Sequence, residues 1–437
     1  MTLTIRGLVR CALWIGLYLL LALFPVPWVA FAAGAGGPFL ERLGAALGQV
    51  ALSVLALEFV LTARFRALAP PFGTDVVYAF HRGMAVVALL FCLAHPLLVL
   101  PLDQLLGALD PSGGHGLGAV ALYLVLALVA LSLGRRLFHL SYVPWRWLHG
   151  PLAAAAVIVG LLHSLSSPSL RGDPVTRGGV LVWTLCLVLL LAWVRVAKPV
   201  LLLRRPYRVI GVRPEHGGAV TLVLDPDHHD GLSFRAGQFA FLTLEGSPFL
   251  AREHPFFFSG SAQRAPRLEV TVKAVGGFTR KVQEVRPGAL AYVDGPFGHT
   301  SLDAFPDADR YFYVAGEIGI APCISMLRTL ADRGDRRPHT LVYGSADWDS
   351  AAFREELAEL ASRIDLRVVH VLERPPLGWL GETGTIGLEV LERHLPRSGR
   401  RACFVCGPDA MMDLAEPALC ELEVPVEDIH AERLYWA

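Results

Sequence analysis

The sequence predicts a multidomain membrane protein: a six-helix transmembrane bundle, then an antiparallel β-barrel, then an α/β domain. Three observations carry this. Of the 437 residues 54% are hydrophobic and the mean hydropathy is +0.48, an excess that lies almost wholly before residue 203. Beyond "LLLRRPYRV" the composition changes abruptly to short β-type runs broken by Gly and Pro. From about residue 307 strands alternate with helical segments, the pattern of a parallel, doubly wound sheet.

Apolar runs long enough to cross roughly 30 Å of hydrocarbon occur at 8–31, 43–63, 77–101, 117–138, 148–167 and 179–203. The first is longer than a signal-peptide core and is expected to be retained. Arg6, Arg10, Arg64, Arg66, Arg82, Arg135, Arg136, Arg146, Arg195 and Lys198 fall on one side, against Arg42, Arg171 and Arg177 on the other. The first side is therefore expected to be cytoplasmic, with both termini and the C-terminal half inside. A formal net charge of zero gives no sign of a nucleic-acid surface. The seven cysteines form no disulfide framework, and "CFVC" at 403–406 lacks the second pair that a zinc site would need, so a buried strand end is expected there.

In the C-terminal half, "RVIGV", "AVTLVLD", "QFAFLTL", "RLEVTVKAV" and "ALAYVDGPFG" read as barrel strands. "HPFFFSGSA" (254–262) can place His254 and its aromatic neighbours beside a flat heterocycle; the alternative is a buried aromatic strand. In "VKAVGGFTRKV" (272–282), Gly276 and Gly277 offer amides while Thr279 and Arg280 add a hydroxyl and a cation, a set suited to phosphate. "GEIGIAP" (316–322) sits where the first strand of the α/β sheet passes to its helix, so Gly316 and Gly319 can admit a pyrophosphate to the amides at the helix start. "CGPDAMM" (406–412) repeats the arrangement at a later strand end. Nucleotide binding is the expectation, and a purely structural turn the alternative.

The strongest signal is histidine spacing. His81 and His95 lie 14 residues apart in one apolar run, and His149 and His163 lie 14 apart in another. At 3.6 residues per turn this puts both rings of each helix on nearly the same face, about 21 Å apart along the axis. The charge count makes the two helices parallel, so His81 shares a depth with His149, and His95 with His163. One intramembrane histidine is explained by a hydrogen bond to a neighbouring helix. Four at two matched depths offer each of two haems both axial ligands. Zinc would need convergent ligands, and no Cys or carboxylate accompanies either pair in sequence. A proton relay would use acids as well. Glu58 is the only such residue deep in a span, where a basic partner near the cytoplasmic edge would explain it. Phe91 lies between the two levels, with packing as its default role.

With these residues the chain resembles the ferric reductase and NADPH oxidase superfamily along nearly its whole length. The resemblance is carried by His81/His95 and His149/His163, "HPF" (254–256), "GGFT" (276–279), "DGPFG" (294–298), "GEIGIAP", "YGS" (343–345), "LERPPLGWLGETG" (372–384) and "CGP" (406–408). It implies a haem domain over 1–203, an FAD-binding β-barrel over 204–303 and an NAD(P)-binding α/β domain over 304–437. By resemblance, His81, His95, His149 and His163 ligate two b-type haems. His254, Pro255 and Phe256 with Gly276, Gly277, Phe278 and Thr279 hold FAD. Gly316, Gly319, Ile320, Ala321, Pro322, Arg374, Cys406, Gly407 and Pro408 bind NADPH or NADH. Tyr435 and Trp436 are the candidates for the C-terminal aromatics that the family sets against the flavin.

The sequence departs from the family where Phe257 stands in place of Ser or Thr after "HPF", which leaves Ser259 as the candidate hydroxyl for the flavin. Glu317 replaces a glycine of the phosphate turn, and Ala346 and Thr385 replace arginines, leaving Arg374 for the 2′-phosphate of NADPH. The resemblance implies a multi-pass oxidoreductase of a bacterial-type inner membrane. Its acceptor is dioxygen or a ferric chelate, with a periplasmic protein or membrane quinone as a further possibility and any protein partner unknown. A haem-containing membrane sensor or assembly protein without turnover is the reading from another class.

Overall fold

A computed structural model describes residues 5–27, 38–64, 69–101, 104–105, 107, 116–135, 137, 139, 142–166, 174–250 and 253–434. The chain forms two compact units. One comprises the described residues within 8–68 and 76–199; the other is dominated by 200–437, with short segments at 5–7 and 69–75.

The first unit is helical: α1 Ile5–Leu23, α2 Phe39–Thr62, α3 Ala69–Val99, α4 Gly116–Leu133, α5 Tyr142–Ser166 and α6 Pro174–Ala192. α6 continues through a π-helical turn, Trp193–Ala197, into Lys198–Leu203. Among the described residues five helices are long and apolar enough to cross a membrane, and a shorter apolar stretch covers Cys11–Pro27. The first span was expected over 8–31, of which residues 28–31 lie outside the described residues. α2 is the centre of the unit, with Val50 through Phe59 buried without a break. A helix apolar on every face is one that its neighbours enclose. Small and polar side chains fix those neighbours. A Cβ on Gly160 of α5 would meet Leu52 at 3.0 Å, Gln49 donates to Ser164 at 2.6 Å, and Trp183 of α6 donates to Ser53 at 3.1 Å.

The second unit holds two six-stranded sheets. The first is antiparallel: β1 Tyr207–Glu215, β2 Ala219–Pro226, β3 Phe239–Leu244, β4 His254–Phe257, β5 Leu268–Lys273 and, after the short helix α7 Gly277–Val282, β6 Leu290–Phe297, in the order β4-β3-β6-β1-β2-β5. Its interior is closed by Leu222, Leu224, Phe258, Leu268 and Val270, the alternating residues of paired strands.

The second sheet is parallel. It comprises β7 Arg310–Gly316, β8 His339–Ser345, β9 Leu366–Leu372, β10 Glu382–Thr383, β11 Arg401–Cys406 and β12 Ile429–Ala431, in the order β10-β9-β8-β7-β11-β12. The connecting helices are α8 Ile320–Arg333, α9 Arg354–Arg363, α10 Leu388–His394 and α11 Asp409–Glu421. Both faces are covered, so β7 reads "YFYVA" with no polar alternation and is fully buried. Chain order reverses between β7 and β11, the switch point at which such sheets open a crevice beyond their carboxyl ends.

Candidate functional site

In the helical unit the four histidines come together as two pairs. The rings of His81 and His149 are 6.4 Å apart between centroids, and those of His95 and His163 are 6.2 Å apart. The rings of each pair stand edge to face, at 71° and 75°. The separation equals two metal–imidazole bonds of about 2 Å laid end to end with roughly 1.1 Å from each nitrogen to its ring centre.

The Nδ1 atoms are already engaged, and from three different directions. His81 Nδ1 meets the Glu58 carboxylate of α2. His95 Nδ1 lies 2.8 Å from the Gly44 carbonyl of α2. His149 Nδ1 lies 3.1 Å from Ser132 Oγ of α4. Ser132 donates its own proton to the Leu128 carbonyl at 2.7 Å, so toward His149 it accepts. A second partner on Nδ1 fixes the tautomer and leaves Nε2 as the nitrogen free to ligate.

Two glycines admit the rings of His95 and His163. A Cβ on Gly48 would stand 2.8 Å from His95 Nδ1, and one on Gly118 would stand 2.9 Å from His163 Cε1. His149 is flanked by the apolar side chains of Leu128, Leu131, Trp145, Leu148 and Leu152. Phe91 packs against the bundle core. Among the described residues no group of three or more His, Cys, Asp or Glu converges as a metal site.

The structure corrects the expected partner of Glu58. The side chain is only 6% exposed and faces His81, with Tyr18 Oη donating to it at 3.4 Å, so a carboxylate does accompany one histidine pair. The signal was present in the sequence as an acid in an apolar run, but its direction on the helix depends on which helix packs there.

In the second unit two sequence motifs meet through their rings. His254 stacks on Phe278 at 3.8 Å and 11°, and Phe256 stacks on the same ring at 6.1 Å and 17°. Pro255 between them is buried in the pairing of β4 with β3. Gly276 and Gly277 have no atom closer than 3.9 Å to a would-be Cβ, so packing does not demand glycine at either.

Two expectations need correction here. The Thr279 hydroxyl is occupied by its own turn: it accepts from the amides of Val275 at 2.9 Å and Gly276 at 2.7 Å and donates to the Gly276 carbonyl. Ser259 is fully buried, and its hydroxyl accepts from Thr271 at 2.8 Å on the face of the sheet opposite the Val270 and Val272 core, where Ser325 and Arg328 of α8 donate to the Gly260 and Ser259 carbonyls.

The two glycine turns of the α/β half are built against each other. A Cβ on Gly319 would meet the Cys406 carbonyl at 2.4 Å, and one on Gly316 would meet Met411 Sδ at 2.6 Å. A Cβ on Gly407 would come within 3.0 Å of the Gly316 nitrogen. These contacts bring the ends of β7 and β11 to the switch point, where Ile320, Ala321 and Pro322 open α8 and Pro408 precedes α11. A small cavity of about 10 Å³ lies there, lined by Phe257, Thr300, Pro322, Met326, Cys406 and Glu432 among others. Thr300 Oγ1 is buried with no hydrogen-bond partner among the described residues. Burial pushes the Cys406 thiol well above its ordinary range. Cys403 and Cys406 stand three apart on β11, and odd spacing sends strand side chains to opposite faces.

Glu317 sits at φ 51°, a left-handed backbone that a glycine would adopt freely. Its carboxylate is turned sideways: it pairs with Lys273 of β5 and accepts the Ala346 amide at 2.8 Å. Lys273 was not singled out from the sequence, because nothing local links the end of β5 to the turn after β7. Arg374 donates to Asp347 at 2.9 Å and is therefore engaged by an acid. Tyr435 and Trp436 lie outside the described residues.

Residues 47–160 match the ferric reductase like transmembrane component family, and residues 313–416 match the oxidoreductase NAD-binding domain family. The glycine betaine monooxygenase reductase subunit of Pseudomonas aeruginosa is 31% identical over 194 residues, covering 43% of this chain and 52% of that protein. Ferredoxin–NADP reductase B of Sorangium cellulosum is 28% identical over 235 residues, 52% of this chain and 96% of that protein. The flavohemoglobin of Malassezia yamatoensis, solved with FAD and heme, aligns at 18% identity and a TM-score of 0.49 over 90% of this chain and 97% of its own. The chain spans about half the length of the first of these curated relatives. The chain thus matches a ferric-reductase-like transmembrane family in its first half and an oxidoreductase NAD-binding family in its second, and its described residues hold five helices long and apolar enough to cross a membrane.

Proposed function

We propose that the chain carries electrons from NAD(P)H on the cytoplasmic side, through FAD and two bis-histidine b-type haems, to dioxygen on the outer side of a bacterial-type inner membrane. The net reaction converts one NAD(P)H and two dioxygen molecules to NAD(P)⁺, a proton and two superoxide ions. The observation that carries it is the pair of ring separations, 6.4 and 6.2 Å, at two levels of one helical unit. A flavin converts hydride chemistry into single-electron steps and a haem carries one electron at a time.

The protein's own residues do the remaining work. His81 with His149 and His95 with His163 would hold the two haems through their ring nitrogens, and each haem would supply one-electron transfer there. Gly48 and Gly118 leave the His95 and His163 rings their room. In the reductase half, the stack of His254 on Phe278 gives a flat apolar wall for an isoalloxazine ring. The apposed turns at Gly316–Pro322 and Cys406–Pro408 offer backbone to a dinucleotide, and the unpartnered Thr300 hydroxyl offers a hydrogen bond in the same cavity. Residues 1–203, 204–303 and 304–437 are the corresponding haem, FAD and NAD(P) domains.

A ferric chelate is the second reading for the acceptor, favoured by the family match of residues 47–160. The deciding experiment is anaerobic reduction of the purified, FAD-loaded protein by NADPH and by NADH, followed by separate exposure to oxygen and to a ferric chelate. Haem reoxidation by oxygen with superoxide release supports the proposal. A protein with no haem absorbance, or one whose reduced haems oxygen leaves unchanged, would sink it.

A further inference from the structure

The groups that face His81 Nδ1 and His95 Nδ1 differ in chemistry. At the His81/His149 level a buried carboxylate, Glu58, faces His81 Nδ1, while at the His95/His163 level His95 Nδ1 faces the neutral carbonyl of Gly44 at 2.8 Å. The other described second partner at the first level is the accepting hydroxyl of Ser132, also neutral. The first level is the one beside the end of α6 from which the chain continues toward residue 203, because the Arg195 guanidinium lies where a Cβ on Gly150, the neighbour of His149, would stand.

Glu58 lies 6% exposed within the otherwise apolar stretch Val50–Phe59, where an ionisable group is costly. Its one oxygen faces His81 and its other receives Tyr18 Oη at 3.4 Å.

Resting on the haem reading above, we infer that Glu58 is a positioning residue that lowers the potential of the inner haem, the one held by His81 and His149. By drawing the Nδ1 proton of His81 toward itself it makes Nε2 a stronger donor, which favours ferric over ferrous iron there. The carbonyl facing His95 is neutral, so the haem held by His95 and His163 keeps the higher potential.

The test is an anaerobic spectroelectrochemical titration of the full-length protein, with haem content measured on the same preparations. Wild type should show two haems and two one-electron steps. A His95→Leu preparation, retaining only the inner site, assigns the lower step to it. Glu58→Gln keeps shape and hydrogen bonding but removes the charge. It should raise the ferrous-to-ferric ratio of the inner haem about tenfold at fixed potential, about 59 mV for a one-electron couple, and leave the outer step in place. Tyr18→Phe removes the donor that competes for the carboxylate, so the inner step should move the opposite way by a smaller amount. This variant also decides the matter if Glu58→Gln fails to retain the inner haem. Unmoved inner steps in the variants that retain haem, or equal movement of both steps, would overturn the inference. Absence of haem from wild type would overturn the reading beneath it, and the inference with it.

Discussion

The helical unit and the reductase unit build their sites from opposite materials. In the helical unit the candidate site is made of side chains at regular helical positions, His81 and His95 on α3, His149 and His163 on α5, with His81, His95 and His149 each held by one further group. In the reductase unit it is made mainly of backbone, where Gly316, Gly319 and Gly407 let two turns from distant strands touch. The first kind of site fails when a side chain is taken away, and the second when one is added.

That contrast can be broken by experiment, beginning with the largest effect. His95→Leu or His163→Leu should reduce haem content from two per chain to one and lower transfer across the membrane by more than about 100-fold, beyond the loss typical of an outer-shell change. Oxidation of NAD(P)H with a soluble dye on the cytoplasmic side should stay unchanged. Retention of both haems in either variant would remove the pairing.

In the reductase unit a single added methyl is the matching test. Gly319→Ala puts a Cβ 2.4 Å from the Cys406 carbonyl. It should cost about 1–3 kcal/mol and raise the KM for the dinucleotide, with faster hydrogen exchange over 316–322 and 403–408 and an unaltered haem spectrum. A silent Gly319→Ala variant would show that the two turns are not held at this distance in solution.

Glu317→Gly sharpens the same comparison. It removes a charge and a left-handed non-glycine residue from the turn, and it frees the Ala346 amide. The Kd for NADH or NADPH should fall about tenfold, close to 1.4 kcal/mol, measured by calorimetry. A weaker complex would mean that Glu317 itself holds the ligand.

The smallest effect is one of pH. Burial pushes His339 of β8 down to about 4, while the unfolded chain binds that proton near the ordinary histidine value of about 6.5. Between these values the unfolded state carries more protons, so the stabilising contribution is complete above about pH 6.5 and is lost as pH falls toward about 4. Hydrogen exchange over 310–345 in the full chain should accelerate through that window, and His339→Leu should flatten the response.

Much of the architecture was legible because it rests on local periodicity. Apolar runs gave the positions of the long helices, and the change from period-two runs to alternating strands and helices gave two different sheets. Of the candidate site, the histidine spacing was readable along each helix, and the motif glycines were readable as turns. The partners of the Ser259 and Thr279 hydroxyls were not readable, because a hydroxyl's partner is chosen by the fold around it. One is bonded to Thr271 on the face of the sheet away from the barrel core and the other to its own turn.

The sequence by itself determined that two apolar helices each carry two imidazoles on one face, and that two glycine turns follow strands, because helix pitch and turn chemistry act over a few residues. Only the tertiary structure decided that Glu58 meets His81, that Glu317 is turned toward Lys273 and Ala346, and that Gly319 lies against Cys406. Those contacts join elements distant in the chain. Their geometry is set by how helices and strands pack, which no local pattern encodes.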